Sequence, residues 1–162
     1  MLSKAMQKAL TEQINEEMLS SYLYLSMSSW FKAQNLNGFA SWLALQSKEE
    51  WSHSMKIYDY IYMHRGAVTL EGIKKPQATW KSPLDVFEAG FKHEQHITDC
   101  FNKLTDLAIK EKDHATQIFL QWYVSEQVEE ESNFDEIVNM LKLIGDHTGN
   151  LFMVDKRLGK RA

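Results

Sequence analysis

Proline occurs only twice in this chain of 162 residues, glycine seven times and cysteine once. So few breakers favour long, unbroken helices. A single cysteine, Cys100, permits no disulfide within the chain, which fits a reducing cytoplasm. The start, Met1 to Leu10, alternates polar and apolar residues and lacks the continuous hydrophobic region of a secretory signal. No apolar run approaches the roughly 18 residues needed to span a membrane. The formal net charge of -4 gives no reason to expect nucleic acid as a partner.

What is present is a hydrophobic fraction of 44% against 25% charged, which suits one globular domain with a sizeable core. Five tryptophans and eight methionines exceed what a small surface needs, so most belong to the core or to a subunit interface. Ser3 is the expected N-cap of a first helix over residues 4–33. Its inward line is Leu10, Ile14, Glu17, Ser21, Tyr24, Ser28 and Phe31. A short turn leads to a second, antiparallel helix over 38–65, with Gly66 as its C-cap. Ala67 to Ser82 has no helical period. About 16 residues can extend about 50 Å, whereas a helix of about 28 residues is about 42 Å long. This segment can therefore return along the whole bundle and leave the third helix parallel to the second.

Ser82-Pro83-Leu84-Asp85 is a helix start, with the proline at the first helical position. The third helix is expected over 83–110, with Leu84, Phe87, Phe91, Glu94, Phe101, Leu104 and Ala108 inward. After a turn at Lys112-Asp113-His114, a fourth runs over 114–144 and is closed by Gly145. Its inward line is Leu120, Tyr123, Gln127, Glu130, Phe134, Ile137 and Leu141. The last stretch is either a short fifth helix within 147–158 or a frayed tail. The expected fold class is all-α: a four-helix bundle with one long crossover between the second and third helices and a short C-terminal helix.

The chain is organised around Glu49-Glu50-Trp51-Ser52-His53. Glu50 and His53, three apart, share a helical face with Phe39, Leu43, Ile57 and Ile61. An acid and an imidazole thus point where a core should be, and a buried carboxylate without a partner costs several kcal/mol. The pattern recurs on every helix: Glu17, then Glu50 with His53, then Glu94, then Gln127 with Glu130. Each interrupts an apolar stripe near the middle of its helix, and midpoints stay level in a bundle whichever way each helix runs. Four carboxylates gathered in a low dielectric cannot all stay ionised without cations. Two divalent metals would supply the charge. Oxygen-rich ligation with one imidazole suits iron or manganese, and zinc could also enter. A carboxylate of Glu50 bridging the two is the economical geometry.

The arrangement resembles the ferritin-like di-iron carboxylate bundles, and more narrowly the bacterial non-haem ferritins. The resemblance rests on Glu17, Tyr24, Glu49-Glu50-x-x-His53, the run Lys92-His93-Glu94-Gln95 and, above all, Phe119 to Gln127 followed by Glu129-Glu130. It covers almost the whole chain. It implies one iron held by Glu17, Glu50 and His53. A second would take Glu50, Glu94 and Gln127, with Glu130 in reach. A third, weaker site would use Glu49, Glu126, Glu129 and Glu130. Tyr24 and Trp122 would lie beside the centre and serve electron transfer, and Tyr24, Glu50 and Glu130 would carry catalysis. The implied reaction oxidises ferrous iron with dioxygen or peroxide and stores ferric mineral inside a homo-oligomeric shell of twenty-four subunits.

Two departures from the wider superfamily are informative. Many di-iron carboxylate proteins carry a second Glu-x-x-His on the fourth helix, where this chain reads Gln127-Val128-Glu129-Glu130. One imidazole instead of two suits iron as a passing substrate. Haem-binding relatives carry methionine directly after the helix-two glutamate, where this chain has Trp51, so no haem is expected. His93-Glu94-Gln95-His96 falls one residue short of His-Glu-x-x-His, and both histidines are expected on the solvent side, as is Glu131. The hydroxyl of Tyr24 belongs either on Glu94 or on water. A soluble di-iron oxidase or peroxidase acting on another substrate is the alternative. It would want a second histidine and an apolar substrate pocket, and the sequence shows neither.

Overall fold

The computed structural model describes residues 1–162 as five α-helices: α1 (Lys4–Lys32), α2 (Asn37–Met63), α3 (Pro83–Glu111), α4 (His114–Ile144) and α5 (Thr148–Leu158). Local chemistry sets their starts. The Ser3 hydroxyl accepts from the Met6 N–H at 2.9 Å, and the Ser82 hydroxyl accepts from the Asp85 N–H at 3.1 Å. The Asp113 carboxylate accepts from the Thr116 N–H at 3.1 Å. α3 ends in a left-handed residue, Lys112, with φ 58°.

Both ends of α2 are set by contacts from elsewhere in the chain, and its C-terminus departs from the expected glycine cap. The left-handed residue after α2 is Arg65 (φ 61°), not Gly66. Gly66 is there for space: a Cβ on it would fall 2.6 Å from Gln7 Oε1 and 2.7 Å from Ile61 Cγ2. The start of α2 has no side-chain cap of its own. The carboxylate of Asp155, on α5, accepts from the Phe39 N–H at 3.0 Å instead. That close seat also requires a glycine, since a Cβ on Gly38 would meet the Asp155 carbonyl oxygen at 1.7 Å. α5 is thus a docked helix rather than a frayed tail, with Val154 and Leu158 buried.

Side-chain pairings fix the helix directions. Along α1 from Glu17 to Ser28, the α2 partners descend from His53 to Ala40. Along α1 from Ser3 to Tyr24, the α3 partners descend from Glu111 to Glu94. α2 and α3 both oppose α1, so they are parallel to each other, and the segment 64–82 spans the bundle between them. α4 opposes α2, with Gln46 meeting Glu130 at one level and Tyr60 meeting Thr116 at another. No helix is long and apolar enough to cross a membrane.

The core is divided. One apolar cluster, containing Phe31, Phe39, Phe87, Phe134 and Leu141, fills the end that α5 covers. A second, containing Leu10, Ile57, Phe101, Leu104 and Leu120, fills the other end. Between them lie buried Glu17, Glu50, His53, Glu94, Gln127 and Glu130. The helical period carries each of these residues inward, and their mid-helix positions bring them to one level. Of the expected inward residues, Ser21, Leu84 and Phe91 are only half-buried.

Candidate metal centre

Two triads of ligand atoms share one residue. Glu17, Glu50 and His53 each offer an atom within 4.8 Å of the others, and so do Glu50, Glu94 and Glu130. Glu50 therefore stands between two candidate cation positions. The His53 Nδ1 atom lies 3.5 Å from Glu17 Oε2 and 3.3 Å from Glu50 Oε2, so one nitrogen faces both acids of the first triad. The His53 backbone carbonyl accepts from the Tyr123 hydroxyl at 2.9 Å. The imidazole meets the Trp122 ring edge-on at 5.3 Å, and the Lys56 amine sits over that indole at 3.1 Å.

Apart from His53, the groups that hold the acids are neutral donors. Gln13 donates to Glu17 Oε1 at 2.7 Å. Gln46 donates to Glu50 Oε1 at 3.2 Å and to Glu130. Gln127 donates to Glu94 Oε2 at 2.9 Å, and the Tyr24 hydroxyl donates to Glu94 Oε1. Amides and a phenol can orient a carboxylate but cannot balance its charge. Glu17 Oε2 has no hydrogen-bond partner although it is fully buried. An orphaned carboxylate oxygen facing an imidazole nitrogen is what a site for a cation leaves when built from side chains alone.

Electrostatics agree. Burial, reinforced by repulsion from neighbouring acids, raises Glu17 and pushes Glu50 up to about 7, Glu94 up to about 8 and Glu130 up to about 9. Burial works against the charged form of His53, but contacts with Glu17 and Glu50 outweigh it and lift the imidazole to about 10. His53 is thus the one internal cation among four acids. Burial, then Glu94 and Glu50, raises Tyr24 well above the usual phenol range, so it stays a neutral donor.

The remaining candidates divide. Gln127 lies in the layer as a donor to Glu94, and Glu130 completes the second triad. Glu126 is half-buried and reaches a third grouping, with His53 and Glu130. Glu49 and Glu129 join none of these groups. Glu129 is exposed, and Glu49 is taken by the Arg161 guanidinium at 2.5 Å. That arginine also donates to Gln46 Oε1 at 2.9 Å and lies 4.5 Å from the Trp42 ring. His93 is not on the solvent side: it is half-buried, its Nε2 lies 2.7 Å from the Ser20 hydroxyl, and its ring meets Tyr24 edge-on at 5.9 Å. Burial lowers it to about 4. Its offset of one residue from Glu94, about 100° around the helix, carries it toward the α1 seam. His96 is exposed, as expected, whereas Glu131 is half-buried and accepts from the Thr98 hydroxyl at 2.6 Å. Sequence reasoning passed over Gln13 and Gln46, although a signal existed: each lies four residues before a buried glutamate, one turn away on the same face.

A family model described as a ferritin-like domain matches residues 7–144. The bacterial non-heme ferritin of Campylobacter jejuni is 46% identical over 156 residues, covering 96% of this chain and 93% of that protein. The protein of the same description from Bacteroides fragilis is 44% identical over 161 residues, covering 99% of this chain and all of that one (100%). Among solved structures, an open-pore ferritin from the hyperthermophilic archaeon Archaeoglobus fulgidus superposes with a TM-score of 0.99 at 44% identity, covering 100% of both chains. An engineered closed form of the A. fulgidus ferritin gives the same TM-score, 0.99.

Proposed function

This chain belongs to the ferritin family, and on that premise we propose that it stores iron, taking ferrous ions as substrate at the buried centre and oxidising them there. The observation that carries this reading is the pair of triads sharing Glu50, with an orphaned oxygen on Glu17. Charge supports it. With His53 neutral, the carboxylates of Glu17, Glu50, Glu94 and Glu130 balance two ferrous ions, one charge against one. Iron entry therefore expels the protons that burial holds on these acids and the one that Glu17 and Glu50 hold on His53.

Each ferrous ion gives up one electron, and dioxygen takes two electrons and two protons to leave as hydrogen peroxide. Peroxide can serve as oxidant in turn. The two ferric ions then exceed the ligand charge by two. Water must supply hydroxide to balance them, and its protons leave the site. A site matched to ferrous charge and mismatched to ferric charge favours turnover over retention. Tyr24, kept protonated and hydrogen-bonded to Glu94, stands beside the second triad and orients that acid; a part in electron transfer is what the family resemblance implies for it. Gln46 and Gln13 hold the acids in place through the change of charge. The relatives' description as non-heme supports the expectation that no haem is used.

Storage implies a shell of many copies, twenty-four by family resemblance. Tyr22 and Leu25 on α1, with Leu70 on the crossover, are 49%, 52% and 61% exposed, and a second copy would cover such a surface. Cys100, the only cysteine and a free thiol, suits a reducing cytoplasm. The test is to add ferrous iron to metal-free protein in air, follow ferric absorbance and size the product. Fast oxidation, a particle of several hundred kilodaltons and soluble ferric mineral are expected. Glu50→Ala and His53→Ala should lose the fast phase and keep the particle. Both variants oxidising at the original rate would overturn the assignment.

A further inference from the structure

Outside the central layer, one other cluster of ligand-type side chains spans two helices. Glu16 on α1 and His96 and Cys100 on α3 each offer one ligand atom, and the three atoms lie within 4.8 Å of one another. His96 and Cys100 are four apart and share a helical face. Glu16 is the neighbour of Glu17 but faces the other way: Glu17 points into the core, and Glu16 reaches across the outer α1–α3 seam. Glu16 and Cys100 are half-buried and His96 is exposed. A cavity of about 330 Å³ opens beside them, lined by Glu16, Cys100 and Gln13, among others.

The hydrogen bonding of this cluster is weak at the sulfur. His96 Nε2 lies 3.0 Å from Glu16 Oε2 and also 3.6 Å from Cys100 Sγ. If that nitrogen carries a proton it donates to Glu16, and the sulfur is at best a weak second acceptor. If it does not, it can accept from the thiol, and the carboxylate faces a lone pair. A cation at the common point satisfies all three atoms at once. The spacing suits a small metal ion, since tetrahedral zinc with bonds of about 2.0–2.3 Å keeps neighbouring donor atoms about 3.3–3.6 Å apart.

We propose that Glu16, His96 and Cys100 form a second metal site, on the outer α1–α3 face, that binds a zinc-class divalent cation. The donor set decides the class. A thiolate, an imidazole and a carboxylate favour zinc or cobalt over magnesium or calcium, which prefer oxygen alone. Three protein ligands leave a fourth position for water, on the side of the cavity. The site differs from the central one in having a sulfur ligand, no bridging carboxylate and direct access from solvent.

Cobalt(II), added anaerobically to the metal-free full-length protein, is the probe. Cys100 is the chain's only cysteine, so thiolate-to-cobalt charge-transfer absorption reports this site and not the centre. We expect the band, once saturated, to have the intensity of one thiolate-bound cobalt per chain, whatever the central layer takes up, and to be absent in Cys100→Ser. In His96→Ala and Glu16→Gln its midpoint should move to at least tenfold higher cobalt. All three variants should still oxidise ferrous iron rapidly, which shows that they are folded. Absence of the band in the unaltered protein at saturating cobalt would overturn the proposal. So would a band of unchanged midpoint in both His96→Ala and Glu16→Gln, which would mean that the thiol binds alone.

Discussion

Glu49 and Glu50 are neighbours in the chain, yet the fold answers their charges in opposite ways. Glu50 points into the bundle among three other acids, where only His53 can carry positive charge and the remaining contacts are neutral donors. Glu49 points outward, and the Arg161 guanidinium from the C-terminal tail closes on it. Gln46 links the two regions, with its amide nitrogen on Glu50 and Glu130 and its amide oxygen on Arg161. A protein able to bring an arginine to one carboxylate could have brought one to the next. It leaves the centre short of positive charge, with His53 alone against four acids, and the proposed pair of ferrous ions would supply the difference.

The largest expected effect comes from removing the shared acid. Ligand-supporting residues alone are worth about 10- to 100-fold in metal affinity or activity. Glu50→Ala should therefore slow the first ferrous oxidation by about 100-fold or more in stopped-flow absorbance. Glu50→Leu, which fills the same space, should leave the metal-free protein as stable or more so at pH 8, by about 1 kcal/mol. A Glu50→Leu protein that is much less stable, in chemical denaturation without metal, would mean that the acid is structural.

Next in size is the pH dependence of the empty protein. The folded state holds protons on Glu50, Glu94 and Glu130 up to about pH 7, 8 and 9, whereas the unfolded chain loses them near 4.5. The folded state therefore binds more protons in that window, and stability falls as pH rises through it. His53, lifted from 6.5 to about 10, acts in the same direction between those values: its contribution is full below 6.5 and lost as pH passes 10. Thermal melts of metal-free protein should give a Tm that drops between pH 5 and 9. Redox-inert zinc should flatten or reverse the slope and release protons on binding at pH 7. A Tm that rises over that range without metal would contradict the account.

Smaller effects should separate the two regions. Gln46→Ala removes the donor that orients Glu50 and Glu130, and should slow the first oxidation by about tenfold. Arg161→Ala frees Glu49 at the rim, and should change the first oxidation by less than about twofold and stability by less than about 1 kcal/mol. Its effect should appear in later turnovers, as should that of Glu129→Gln. If Arg161→Ala slowed the first turnover as much as Gln46→Ala, the boundary between centre and flank would be misplaced.

Much of this was legible in the residues. Ser3, Ser82 with Pro83, and Gly145 mark helix ends through chemistry that is local to them. The four interior acids stood out because each broke an apolar period at mid-helix. What stayed hidden depended on contacts between distant segments. Gly66 read as a cap, but its position is set by Ile61 and the Gln7 side chain. The cap on α2 comes from Asp155, more than a hundred residues away. His93 read as solvent-facing because its own helix left it between two faces, and the Ser20 hydroxyl and Tyr24 decided the matter. The carboxylates flanking the centre read as one outer group, but the tail arginine claims Glu49. Nothing along α2 or α4 records where residue 161 will lie.

The most direct test is to locate the cations. Crystals of the protein soaked in zinc or in anaerobic ferrous iron should show two anomalous scattering peaks per chain in the central layer. One should lie among Glu17, Glu50 and His53, the other among Glu50, Glu94 and Glu130, with an oxygen of Glu50 bonded to each. A single central peak, or peaks that leave Glu50 unbonded, would contradict the claim that these acids are held together by a shared pair of ions.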